Sequence, residues 1–181
     1  MGRSGGQWVP GDGRGLGGDV DVHAATTGTV GGGPSFLGSH RHALDDKRRV
    51  AIPKPFRDQV ASEGESWVIC RQLGGDPCLA MYPLARFEAA LQRLESLRDG
   101  VGVGSKEIRA YLRHVRMSAT TAVPDKQGRI VLGEEQCRLA GIGREVVFVG
   151  SGDHAELWAP ERLPQGDEEQ DFRQLASRLF G

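Results

Sequence analysis

The sequence predicts an α+β fold built from two tandem copies of one small, strand-rich unit, combined about a pseudo-two-fold axis and flanked by amphipathic helices. The first observation is a charged link, Asp45-Asp46-Lys47-Arg48-Arg49, which returns as Asp125-Lys126-Gln127-Gly128-Arg129. Each link reads Asp, three residues, Arg, and then an apolar run rich in β-branched residues: Val50-Ala51-Ile52 in one, Ile130-Val131-Leu132 in the other. The second is that the flanking segments recur as well. Trp67-Val68-Ile69 comes back as Val146-Val147-Phe148-Val149, and Met81-Tyr82 as Leu157-Trp158. The third is a set of apolar residues at spacings of three and four between and after the copies. An internal repeat constrains the whole fold, because each unit must bury its open face against the other. Either copy alone is near the size at which a separate core becomes marginal, and would leave sheet edges unpaired.

Taken in order, residues 1–35 are Gly-rich without helical or strand periodicity, which predicts disorder. A basic arm is the functional alternative, but only Arg3 and Arg14 stand against three Asp there. A further reading is that the working protein begins near Phe36. Residues 36–44 then read as a first strand, on which His40 and His42, two apart, share a face. A metal pair lacks a third ligand, so polar residues near a DNA face are the expected account. Residues 49–52 are the next strand. Pro53 suits a first helical turn, and Phe56 and Val60 mark a short helix ended by Gly64. Residues 67–70 and 79–82 are strands joined by Gly74-Gly75-Asp76-Pro77, a strong turn cluster.

Leu84, Phe87, Leu91 and Leu94 mark an amphipathic helix with charged residues opposite, its apolar stripe packing either inside the chain or between subunits. Residues 100–104 alternate Gly and Val; with no preceding strand they are a linker rather than a phosphate loop. Ile108, Leu112 and Val115 predict a helix over 105–116. Residues 117–123 are expected to open the second copy as a strand, followed by the strand 130–132 and a helix over 134–140 stopped by Gly141. Strands over 146–149 and 155–158 flank the turn Gly150-Ser151-Gly152-Asp153. Phe172, Leu175 and Leu179 predict a final amphipathic helix that must dock on something. The resulting division is 1–35 extension, 38–86 first repeat, 87–115 helical linker, 116–161 second repeat and 162–181 terminal helix.

The formal net charge is -1, so no global positive field announces nucleic acid. Local charge differs. Arg41, Lys47, Arg48, Arg49, Lys54 and Arg57 outnumber Asp45 and Asp46, whereas 161–171 carries Glu161, Asp167, Glu168, Glu169 and Asp171 against Arg162. Cys70, Cys78 and Cys137 form no Cys-x-x-Cys pair and are expected as reduced thiols of a cytoplasmic protein. No apolar run reaches the ~18 residues needed to cross a bilayer, and the N-terminus lacks a signal-peptide core.

Chemically, each link sets a carboxylate and a guanidinium at opposite ends of a short connector. Asp can fix the turn by accepting backbone N–H groups, while Arg offers a planar fork suited to phosphate or the guanine edge. An internal Asp–Arg pair that merely closes the loop is the competing account. Asp153, His154 and Glu156 could suggest acid–base chemistry. They sit at a strand turn with no identifiable nucleophile, so polar turn residues are expected and no enzyme is.

These residues resemble the MraZ family, whose chains hold two tandem SpoVT-AbrB-type (swapped-hairpin) repeats. The likeness rests on Phe36-Leu37-Gly38, Leu44-Asp45-Asp46-Lys47-Arg48-Arg49, Ile52-Pro53, Phe56-Arg57, Tyr82-Pro83, Asp125-Lys126-Gln127-Gly128-Arg129, residues 146–150 and Leu157-Trp158. The resemblance implies an AbrB-like β-barrel. It implies a bacterial, nucleoid-associated transcriptional regulator that binds short direct repeats in double-stranded DNA upstream of the division and cell wall operon, as a homo-oligomeric ring and without a cofactor. It implies that Arg49 and Arg129 contact DNA, that Lys47 and Lys126 add positive charge, and that Asp45 and Asp125 orient the loops. One departure is Arg48, where the family usually has Gly. Since Gly suits φ > 0 and Arg tolerates it poorly, a reshaped first loop or an added Arg48–phosphate contact is expected. The helical stripes 84–94 and 108–115 are the candidate ring contacts. An antitoxin-like protein-binding module is the alternative; the short tail and doubled repeat argue against it.

Overall fold

The computed structural model describes residues 35–60, 66–96, 104–164 and 168–180. The expectations for residues 1–34, for the helix end at Gly64 and for most of the 100–104 linker lie outside these residues. Among the described residues the chain runs β1 (Ser39–Ala43), β2 (Arg49–Ala51), α1 (Lys54–Asp58), β3 (Trp67–Arg71), β4 (Leu79–Pro83), α2 (Leu84–Ser96) and α3 (Ser105–Ser118). It continues through β5 (Thr120–Ala122), β6 (Arg129–Val131), α4 (Glu134–Ala140), β7 (Glu145–Gly150), β8 (Ala155–Trp158) and α5 (Glu168–Phe180).

The strands form one six-stranded antiparallel sheet in the order β1-β7-β8-β4-β3-β5, and a separate two-stranded ribbon, β2-β6. Exchanging each strand for its counterpart in the other copy (β1 with β5, β2 with β6, β3 with β7, β4 with β8) returns the same order read backwards. The expected two-fold logic is thus visible in the pairing. Each copy's first strand joins the other copy's hairpin: β1 lies on β7, with Ser39 opposite Val149, and β5 lies on β3, with Thr120 opposite Ile69. The expected barrel needs correction, because the sheet stays open. Among the described residues β2 and β6 are three-residue strands that leave it and pair only with each other, so β1 and β5 remain its edges.

Strand alternation assigns the two faces of β3 and β4 to different cores. Trp67, Ile69, Leu79 and Met81 join Phe36, Phe56, Leu132, Phe148 and Leu157 in the main core, to which Val50 and Ile130 anchor the ribbon. Val68, Cys70, Ala80 and Tyr82 face the other way, onto Phe87 and Leu91 of α2 and Ile108, Leu112 and Val115 of α3. Of the two stripes expected to make ring contacts, Phe87, Leu91, Ile108, Leu112 and Val115 are therefore buried inside the chain, against its own sheet, while Leu84 stays 42% exposed. Burial on both faces also explains why these two strands read as continuous apolar runs rather than alternating ones.

Two strand expectations shift. Residues 117–123 are not one strand: α3 continues to Ser118, whose hydroxyl donates to the Val115 carbonyl at 2.8 Å, and only Thr120–Ala122 is extended. At the start, β1 begins at Ser39, while Phe36 makes an isolated bridge to Gly152. That bridge requires a glycine at position 150, where a Cβ would stand 2.5 Å from the Leu37 nitrogen. Gln136, buried on α4, joins three elements. Its Oε1 accepts the Gly133 N–H at 2.9 Å, while its Nε2 donates to the Ile69 carbonyl at 3.1 Å and to Thr120 Oγ1 at 2.7 Å. No helix among the described residues is long and apolar enough to cross a membrane.

Candidate nucleic-acid interface

The two charged links fold into the same loop. In the first, the Asp45 N–H donates to the Arg49 carbonyl at 3.0 Å and the Arg48 N–H to the Asp45 carbonyl at 2.8 Å. Asp45 Oδ1 accepts the Lys47 and Arg49 N–H groups, each at 2.9 Å, and Oδ2 accepts Arg49 Nε at 2.6 Å. The second loop reproduces every bond. The backbone pairs are 2.9 and 2.8 Å, Asp125 Oδ1 takes Gln127 and Arg129 N–H at 2.9 and 3.0 Å, and Oδ2 takes Arg129 Nε at 2.9 Å and Nη2 at 2.7 Å. One carboxylate thus fixes both the turn and the guanidinium. The loop-closing Asp–Arg pair is present, and it leaves part of each fork over. A guanidinium carries five N–H donors, and Asp45 takes one of those of Arg49.

The ribbon brings these arginines together. With Arg49 opposite Val131 and Ala51 opposite Arg129, all four residues share one face, and Val50 and Ile130 form the other. The inner pair is buried, so Arg49 and Arg129 stand on the outer face as diagonal neighbours, a relation that sets Cα atoms about 7–8 Å apart. Lys47 and Lys126 are exposed on the adjoining turns. The ladder is extended at both ends by Leu132 N–H to the Arg48 carbonyl, 3.0 Å, and Ile52 N–H to the Gly128 carbonyl, 2.9 Å.

The first loop is not reshaped. Arg48 adopts φ +56°, the left-handed conformation that Gly128 holds at +73°. An Arg in this region costs about 1–2 kcal/mol relative to ordinary backbone, and the bond from Arg48 Nε to the Leu132 carbonyl (3.3 Å) helps offset it. The copies differ in where the nearby guanidinium originates. In copy two the Arg57 side chain lies across Gly128, where a Cβ would meet Nη1 at 2.1 Å. Arg57 Nε is buried there and has no hydrogen-bond partner among the described residues. Nothing in the sequence singled out this role for Arg57.

Other candidates fall away from the ribbon. The His40 ring meets Phe56 edge-on at 5.2 Å and the His42 ring meets Phe148 at 5.6 Å, so both histidines cover the main core instead of lining a DNA face. The reason is parity: on β1 the residues facing the core are His40 and His42. Asp153, His154 and Glu156 belong to a bracing network. Gln72 Nε2 donates to Glu156 at 2.6 Å, Trp158 Nε1 donates to Glu156 at 2.8 Å, Arg93 pairs with Asp153 at 2.7 Å, and His154 stacks on Tyr82 at 4.5 Å.

Electrostatics follow the loop bonds. The Asp125 carboxyl is held at about 2, first by the Arg129 guanidinium bond and then by the Arg129 N–H. Asp45 is lowered too, first by the Arg49 N–H. A folded-state pKa below the unfolded one stabilises the loop at pH values above the ordinary carboxylate range. That contribution is lost as pH falls through about 2 for Asp125. In a carboxyl NMR titration we expect Asp125 to remain ionised at pH 3, and to titrate nearer its ordinary value in Arg129→Ala. A wild-type midpoint near 4 would contradict the loop.

Comparison with known proteins adds relatives. Residues 35–100 match the family described as "MraZ protein, putative antitoxin-like". The chain is 38% identical over 126 residues to the "Transcriptional regulator MraZ" of Thermomicrobium roseum, covering 70% of this chain and 82% of that one. The protein of the same name from Symbiobacterium thermophilum is 36% identical over 145 residues, 79% of this chain and 99% of the relative. That of Parafrankia sp. is 37% identical over 147 residues, 80% and 96%.

Proposed function

The chain belongs to the MraZ family of transcriptional regulators, and from that premise we propose that it binds short direct repeats of double-stranded DNA upstream of the division and cell wall operon, through the β2–β6 ribbon. The observation that carries this reading is the shared outer face of Arg49 and Arg129, each oriented by its own Asp at the end of the same loop. A two-stranded ribbon is narrow enough for the major groove, where an Arg fork matches the O6 and N7 acceptors of guanine. Lys47, Lys126 and Arg48 add phosphate contacts, which position the protein without reading sequence. Residues 38–86 and 116–161 act as the two SpoVT-AbrB-type repeats, each lending its first strands to the other in the swapped-hairpin manner, with 87–115 between them and 162–181 as the terminal helix.

One chain offers few cations at a net charge of -1, so several copies in a ring must engage successive repeats. The protein works in the cytoplasm, at the nucleoid. The competing antitoxin-like reading keeps one observation, the exposed Leu175, Leu179 and Phe180 of α5, and requires a small toxin in stoichiometric pulldowns.

The test is a titration of the assembled protein with duplex from upstream of its own operon, across ionic strengths. A subunit that engages about three phosphates gives a log–log salt slope near −3, together with clear preference over scrambled duplex. Equal affinity for both duplexes would end the sequence-specific reading. Arg48→Gly separates positioning from folding. Strain relief of about 1–2 kcal/mol opposes a lost hydrogen bond of about 1 kcal/mol and a looser unfolded chain worth about 0.5–1 kcal/mol. Stability should therefore stay within about 1 kcal/mol of wild type by urea unfolding, with the salt slope shallower by about one per site.

A further inference from the structure

We propose that α5 of one copy docks on the α3 face of a second copy, setting its apolar residues in the hollow beside α3 and its acidic lead-in against the arginines there. Leu175, Leu179 and Phe180 are 53%, 71% and 89% exposed on their own chain, so α5 leaves these three apolar residues uncovered. A helix of thirteen residues is marginal in water unless it packs against something. Just ahead of these residues the sequence carries Asp167, Glu168, Glu169 and Asp171.

The acceptor has the opposite charge and a matching apolar floor. Ile108, Leu112 and Val115 turn α3 inward, while Lys106, Arg109, Arg113 and Arg116 recur at helical spacing along one exposed line. A hollow of about 610 Å³ is lined by Arg109, Arg113 and Arg116 together with Leu112 and by Met117, which is 79% exposed. Glu95 takes Arg116 at 3.0 Å and also lines that hollow. Of the four cations on the line, one is thus matched by a carboxylate of the same chain.

Donor and acceptor are different surfaces, so the contact is head-to-tail. Repetition closes a ring when the rotation permits and extends a filament when it does not. The inference rests on the self-assembly part of the proposed function and specifies its surface.

The mass of the full-length chain is measured in solution without DNA, by sedimentation, for wild type and for variants at exposed positions. Leu179→Asp with Phe180→Asp, and separately Arg109→Glu with Arg113→Glu, are expected to reduce the assembly to the 19.5 kDa chain. Adding Glu168→Lys, Glu169→Lys and Asp171→Lys to the arginine reversals should restore it. Mixing a Met117→Cys chain with a Leu179→Cys chain, followed by a short bifunctional thiol crosslinker, should give covalent dimers. Assembly that survives both sets of substitutions overturns this surface while leaving self-assembly intact; a monomeric wild type overturns both. Crosslinking only within a chain carrying both cysteines overturns docking between copies. Arginine reversals that leave the mass unchanged but weaken DNA binding would make α3 a phosphate-binding face, and would overturn the proposal as well.

Discussion

Replacing Arg49 and Arg129 together by Ala is expected to abolish operator recognition while leaving the fold in place. A bidentate Arg–guanine contact is worth about 1–3 kcal/mol, so two per subunit give a loss of roughly thirty-fold to twenty-thousand-fold. Simultaneous engagement by several copies compounds the loss. The fold should survive because Val50 and Ile130, not the arginines, hold the ribbon to the core. The double variant also leaves the Asp45 and Asp125 carboxylates without their guanidinium partners on the surface proposed to face DNA, which would add repulsion. Arg49→Lys with Arg129→Lys makes the sharper comparison. Charge and much of the non-specific affinity remain, but the planar fork is lost, so preference for the operator over scrambled duplex should collapse. Unchanged operator affinity in the alanine variant, at a melting temperature close to wild type, would remove the ribbon from consideration as the reading surface.

Much of this arrangement was legible because its causes are local. Helix α4 occupies the expected residues 134–140 and β8 the expected 155–158. In α4 the signals are adjacent in sequence, with Gln136 reaching back to the Gly133 N–H and Gly141 closing the helix in the left-handed conformation. The duplicated loop was legible for the same reason, since a single Asp satisfies donors two and four residues ahead. What stayed hidden depends on partners far away in the chain. His40 and His42 evidently share a face, but only the pairing of β1 with β7 decides that this face meets Phe56 and Phe148. The stripes on α2 and α3 were evident as stripes, while their partner was not. The continuous apolar runs 67–70 and 79–82 held that information: strands buried on both faces require a second layer, and α2 and α3 are the helices adjoining them. Arg57 carried no local signal at all. Its place over Gly128 exists only because copy two keeps a glycine where copy one has Arg48, so the space left by one missing side chain is filled by another from across the pseudo-two-fold.

Phe36→Ala is expected to be severely destabilising, because Phe36 joins parts of the core that the chain brings together only on folding. Its ring is fully buried against Phe56 at 5.1 Å and Trp67 at 5.8 Å, and the Arg86 guanidinium lies 4.9 Å from its centroid. Its backbone exchanges hydrogen bonds of 2.7 and 3.1 Å with Gly152, in the turn between β7 and β8 of the other copy. Truncating a buried Phe costs about 3–5 kcal/mol, combining lost transfer energy with the cavity left behind. The high end applies here, since rings from α1 and β3 cannot both collapse into the gap while the Gly152 bridge holds the backbone. For a body of this size that corresponds to a fall of roughly 6–20 °C in melting temperature. In urea the midpoint should drop with little change in slope, measured at one fixed protein concentration so that assembly does not contribute. Phe36→Leu, which keeps most of the volume, should lose less than half as much. A fall below about 2 °C for the alanine variant, well under the range expected for a buried aromatic, would mean that Phe36 does not join the copies, and the strand exchange around it would need to be redrawn.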